Sequence, residues 1–129
     1  MTEKKKLFLN GTHLLKKEEL EIVEVDLGEG VFVHVRQMTG HERENFERML
    51  YTIGTDKKGE VTTEKHLEDF RAKLVVCTVC DENGKFLLRS KDYVQLSRNM
   101  SAFRLEKIVN VAQRLNAITE TDKDAIIKN

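Results

Sequence analysis

Residues 20–37 read LEIVEVDLGEGVFVHVRQ and constrain the fold more than any other part of the chain. Ile22, Glu24 and Asp26 alternate with Val23, Val25 and Leu27. Beyond Gly28-Glu29-Gly30, Val31, Val33 and Val35 alternate with Phe32, His34 and Arg36. A period of two sends successive side chains to opposite faces of a strand, and β-branched residues suit the pleated surface. Two such runs around a three-residue, Gly-bounded connection predict an antiparallel β-hairpin.

Downstream the spacing turns helical. In MTGHERENFERMLYTIG, Thr39 is placed to N-cap a helix, and Glu42 three residues on completes a capping box. Phe46, Met49, Leu50 and Ile53 then share one face, Arg43–Glu47 and Glu44–Arg48 pair on the other, and Gly54 is expected to end the helix. TDKKGEVT has no apolar periodicity and predicts a mobile polar loop near 55–62. A second helix is expected from Thr62 or Thr63. It places Leu67, Phe70, Leu74 and Cys77 or Thr78 inward, and Glu64, Lys65, Glu68, Asp69, Arg71 and Lys73 outward. Beyond Leu74 the run LVVCTVC is apolar on every side; a short buried strand fits it as well as a buried helix end, and the established frame favours helix. Asp81-Glu82-Asn83-Gly84 reads as a turn, Phe86-Leu87-Leu88 as a short extended piece, and Ser90 as the cap of a brief helix with Tyr93, Val94 and Leu96. The longest helix is predicted over about 100–115, burying Phe103, Leu105, Ile108, Val109, Ala112 and Leu115 and ending at Asn116. Thr119 opens a last amphipathic turn or two with Ile126 and Ile127.

Ahead of the hairpin, Lys4, Lys5, Lys6, Lys16 and Lys17 surround Leu7, Phe8, Leu9, Leu14 and Leu15, which reads as a flexible basic arm over 1–17. The expected architecture is α+β: an N-terminal β-hairpin followed by a mainly α-helical domain, one domain over 18–129. A 129-residue chain is long enough to bury a core without disulfide or metal staples.

Charge narrows the function classes. Lys plus Arg and Asp plus Glu each number 22, so no net field draws nucleic acid or an anionic membrane. No apolar run approaches the roughly twenty residues of a spanning helix, and MTEKKKLFLNG lacks a signal-peptide core, so the expected location is the cytoplasm. Aromatic residues make up 6% with no Trp, which argues against a cofactor or sugar platform.

Cys77 and Cys80 form the one C-x-x-C pair. A redox pair needs its first thiol at a helix N-terminus, where the dipole lowers its pKa. Both cysteines here fall at the opposite end of the expected helix. A zinc site needs four ligands, and His13, His34, His41 and His66 supply no second paired spacing. Small core residues are the expected role, with a thiol or zinc-binding protein using Cys77 and Cys80 as an alternative class. HERE at 41–44 begins like H-E-x-x-H, but Asn45 stands where the second zinc ligand belongs. DENGK fails as a calcium loop, because placing Gly84 sixth puts Val79 first. His34 has no Ser, Cys or acid set beside it by a motif, and no Walker loop, dinucleotide glycines or nucleophile elbow occurs. No catalytic, cofactor or metal residues are assigned.

Three runs carry a resemblance: VFVHVRQMTGHERENFE, RAKLVVCTVCDENGKFLL and VNVAQRLNAITETDKDAIIKN. Their order over 15–129 resembles the tail assembly chaperones of long-tailed bacteriophages and prophages. That family shows Val-Arg-x-Leu-Thr-Gly-x-Glu-Arg, an apolar run before Asp-Glu-x-Gly, and Arg-Leu-Asn-x-Leu-Thr. Val35 through Arg43, Leu74 through Gly84 and Arg114 through Thr119 correspond, with Met38 and Ile118 where Leu is common. The resemblance implies a non-enzymatic chaperone that binds the helix-rich tape measure protein and helps the major tail (tube) protein polymerise around it. It further implies action in the host cytoplasm, absence from the mature virion, a longer frameshifted form in many members and possible homo-oligomers. The alternative within phage biology is a structural minor tail or connector protein. Leu14, Leu15, Ile126 and Ile127 lie on elements too short to bury them and are the candidate partner-binding residues; packing back on the domain is the other possibility for each.

Overall fold

The computed structural model describes residues 5–65 and 68–118, with 52, 53 and 65 described by backbone alone. In chain order the elements are α1 (Gly11–Leu15), β1 (Ile22–Gly28), β2 (Val31–Arg36), α2 (Gly40–Arg48), β3 (Tyr51–Thr55), β4 (Val61–Lys65), α3 (Phe70–Val76), β5 (Val79–Cys80), α4 (Tyr93–Asn99) and α5 (Ala102–Leu115). A 3₁₀ turn over Ser90–Asp92 leads into α4. Helices and antiparallel sheets coexist, so the fold is α+β.

The expected hairpin is present. Its register sets Val23 opposite Val35 and Val25 opposite Val33, making one apolar face on which Val25 and Val35 are buried. Ile22, Glu24 and Asp26 lie opposite Arg36, His34 and Phe32 on the other face. Glu29 and Gly30 have φ of 56° and 76°, the paired positive values of a tight hairpin turn whose twist matches the strands. The hairpin is two-thirds of a three-stranded sheet ordered β1-β2-β5.

Helix α5 packs against β1, β2 and α3, and α3 also packs against α4. Leu105, Ile108, Val109 and Ala112 recur at helical spacing and are buried, as the periodicity required. Thr39 and Glu42 form the expected capping box on α2: the Glu42 N–H donates to Thr39 Oγ1 at 3.2 Å and the Thr39 N–H to Glu42 Oε1 at 2.9 Å. Phe46 of α2 is fully buried and meets Phe70 edge-on, with centroids 5.8 Å apart.

Several expectations need correction. Helix α2 ends at Arg48, and Tyr51–Thr55 is a strand paired with Val61–Lys65. Phe46, Met49, Leu50 and Ile53 matched a helical face, but the β-branched and aromatic residues Tyr51, Thr52, Ile53, Thr55, Val61, Thr62 and Thr63 favour a hairpin once a turn joins them. Asp56 supplies that turn: its Oδ1 accepts the N–H groups of Lys58 and Glu60 at 2.9 Å each. The polar loop near 55–62 is therefore the tip of a second hairpin, and Gly54 lies inside β3. The second helix starts at Phe70, not at Thr62 or Thr63, and Leu67 lies outside the described residues. Lys73, expected outward, is buried with its ammonium 5.1 Å from the Tyr93 ring centroid, because α4 covers that side of α3. LVVCTVC is helix to Val76 and strand at Val79–Cys80. Ser90 opens the 3₁₀ turn, and the capping bond runs instead from the Arg89 N–H to Asp92 Oδ2 at 2.8 Å. Helix α5 begins at Ala102, capped by Ser101. Phe103 is exposed, because it sits in the first turn of α5 beyond the packed stretch; Lys107 covers its ring at 4.9 Å.

Candidate functional site

The three runs that carry the family resemblance are distant in sequence and meet in space around Arg36. Strand β2 ends at this residue, and alternation turns its side chain to the face away from α5. Its Nε donates to Gly84 O at 2.7 Å and its Nη1 to Gln37 O at 2.7 Å. Nη1 and Nη2 grip Glu42 in a fork, at 2.9 Å to Oε1 and 2.8 Å to Oε2. The guanidinium carbon lies 4.1 Å from the centroid of Phe86. Gly84 reaches this position with φ +86°, and a Cβ there would stand 3.2 Å from Ile22 Cδ1, so the turn needs glycine.

Asn116 closes the same region from the end of α5. Its Oδ1 accepts the Met38 N–H at 2.6 Å, its Nδ2 donates to Ala112 O at 2.9 Å, and its carbonyl accepts Arg43 Nη1 at 2.9 Å. Arg36 ties β2 to α2 and to the 81–85 turn, while Asn116 ties α5 to the segment between β2 and α2. Arg36 lowers the Glu42 pKa through its hydrogen bond, and the Thr39 N–H adds to that against the opposing effect of burial. A cleft of about 640 Å³ beside the clamp is lined by Lys17, Glu18, Glu19, Ile22, Arg36 and Gly84 among others. Every nitrogen of the guanidinium is already engaged by the protein itself, so the clamp is built to hold elements together.

The cysteines divide between two environments. Cys77, the C-cap of α3, is buried with its Sγ 3.7 Å from Met49 Sδ; burial, and then the Glu42 charge, push its thiol up to about 11. Cys80 is 1% exposed, and burial raises its pKa too, although the nearby Arg36 charge pulls the other way. Strand alternation puts Cys80 in register with His34, and His34 with Glu24, a row that no motif announced. The thiol in that row is buried, and no hydrogen bond joins the three side chains. Burial disfavours the thiolate at both positions. Among the described residues, no group of three or more His, Cys, Asp or Glu is placed to hold a metal ion, and no helix is long and apolar enough to cross a membrane.

Of the candidate partner-binding residues, Leu14 is 67% and Leu15 90% exposed on α1, a helix with no buried residue. The Asn10 side chain accepts the His13 N–H at 2.9 Å to start that helix. Ile126 and Ile127 lie outside the described residues. Asn116 ends the long helix as its sequence position suggests, but neither it nor Arg36 carried a sequence signal for joining elements beyond a strand-end Arg six residues before a capping-box Glu. Compared with family models, characterised proteins and solved structures, the chain matches none.

Proposed function

We propose that this chain is a non-enzymatic tail assembly chaperone of a long-tailed bacteriophage or prophage. It holds the tape measure protein in the host cytoplasm, promotes assembly of tube protein around it, and is absent from the finished particle. The observation that carries the reading is the presentation of Leu14 and Leu15 to solvent beside Lys16 and Lys17, on a helix that buries nothing. Exposed apolar anchors flanked by charge suit an amphipathic helical client. Further support comes from the convergence of Val35–Arg43, Asp81–Gly84 and Arg114–Ile118 on one clamp, since the residues that carry the resemblance work as a structural unit. The upward shift of both thiols through burial weighs against the alternative of a small thiol protein using Cys77 and Cys80.

Co-expression with a tape measure protein tests the reading. The chaperone should move the client into the soluble fraction, and Leu14→Glu with Leu15→Glu should abolish this without changing the chaperone's own melting. Failure to rescue any such client, together with recovery of this chain from purified virions, would favour a structural tail or connector component. Stoichiometric zinc in the purified protein would instead favour the metal-binding alternative.

A further inference from the structure

Strand β1 is an edge that no described strand covers. The Gln37 N–H donates to Glu21 O at 3.0 Å, which fixes the phase of the ladder. Val23 and Val25 therefore exchange their backbone bonds with β2, while the N–H and C=O groups of Ile22, Glu24 and Asp26 point away from the sheet. The opposite edge of β2 obeys the same alternation: the Arg36 N–H donates to Thr78 O at 3.1 Å. An open row of this kind is a template for another strand.

The side chains on this edge select what pairs with it. Glu24 and Asp26 are exposed, and Glu19, Glu21 and Glu29 flank them, also exposed. A second β1 laid antiparallel here would set carboxylates against carboxylates, which opposes self-pairing of the edge. The same chain carries the complementary sequence in residues 5–9, KKLFL. These residues lie outside any helix or strand, with Leu7 80% and Phe8 82% exposed, and make no backbone bond to β1 of their own copy.

We propose that this N-terminal segment adds as a fourth strand to β1 of a second copy. An antiparallel register with Lys6 opposite Glu24 sets Phe8 opposite Ile22 on the outer face and Leu7 beside Val23 on the core face. The five residues extend to about 17 Å and run opposite residues 21–25 in this register. Lys6 and Phe8 then satisfy the backbone groups of Glu24 and Ile22, two of the three outward-pointing positions. The cleft beside Ile22 leaves room for the Phe8 ring. Each copy offers one arm and one edge, so the pairing can be reciprocal. It holds whether or not the chain binds a tape measure protein.

Sedimentation velocity on the full chain over a concentration series tests this. The wild type should associate. Lys6→Glu, and separately Glu24→Lys, should each raise the dissociation constant by about tenfold. Mixing the two variants should restore association, because the reversed arm of one then meets the reversed edge of the other. Both positions are exposed, and unchanged thermal melts verify that the fold is intact. A wild type that stays monomeric at every concentration overturns the proposal, as does association indifferent to both reversals. Protection of the Ile22, Glu24 and Asp26 amides in a monomer overturns it too, since the arm would then occupy the edge of its own copy.

Discussion

Replacing Arg36 by Ala should cost this protein a large share of its stability. The substitution removes four hydrogen bonds and the contact with Phe86, and orphans the Gly84 carbonyl. Breaking a buried ion pair by deleting one partner costs about 3–5 kcal/mol. Glu42 remains 24% exposed and keeps its bond from the Thr39 N–H, so the lower end applies. We expect a loss of about 3 kcal/mol, against a total of about 5–15 kcal/mol for a domain of this kind. Urea titration followed by far-UV circular dichroism measures it, with an unchanged m-value showing that the denatured state is comparable. Arg36→Lys should recover less than half, because an ammonium cannot fork onto Glu42 while also reaching Gly84 O. The clamp also predicts an acid limit. Glu42 has a folded pKa below its ordinary value of 4.5, so its contribution is fully present above 4.5 and is lost as pH falls through the folded value. Glu42→Gln should remove that part of the acid dependence. A loss under about 1 kcal/mol for Arg36→Ala, or an acid profile unchanged by Glu42→Gln, would refute the reasoning.

Two further outcomes are expected. Ala117 closes α5 with φ 52°, and the bonds Ile118 N–H to Gln113 O at 2.8 Å and Ala117 N–H to Arg114 O at 3.3 Å form a Schellman motif. Ala117→Gly relieves the left-handed strain and should raise stability by about 0.5–1 kcal/mol, read from the urea midpoint. The Cys77 thiol is pushed up to about 11 in the folded state against an ordinary value of 9.0, so folding stability should fall as pH rises from 9.0 towards 11. Cys77→Ala should flatten that slope in thermal melts taken across alkaline pH, and thiol reagents should label the wild type rapidly only after denaturant is added.

Local patterns were legible wherever one element decided its own conformation. The β1–β2 hairpin, the Thr39–Glu42 capping box, the 81–84 turn and the α5 core stripe all follow from spacing and turn chemistry within a few residues. Misreadings occurred where short apolar runs suited either period. Tyr51–Thr55 and Val61–Lys65 fold as strands because they have each other as partners, and a window ending at Gly54 cannot register a partner seven residues away. Lys73 looked like a surface residue because its cover, α4, lies twenty residues further on. Of the four candidate partner-binding residues, Leu14 and Leu15 are exposed as expected for elements too short to bury them, and Ile126 and Ile127 lie beyond the described chain.

The sequence by itself determined the α+β class, because period-two and helical patterning are written in local residue order and need no knowledge of neighbours. Only the tertiary structure decided that Arg36, Gly84 and Asn116 form one clamp, and that Cys80, His34 and Glu24 share a row across three strands. The physical reason is that hydrogen bonds and strand register act between groups up to 80 residues apart. Nothing in the spacing of such groups marks them as partners until the chain has closed the loops between them.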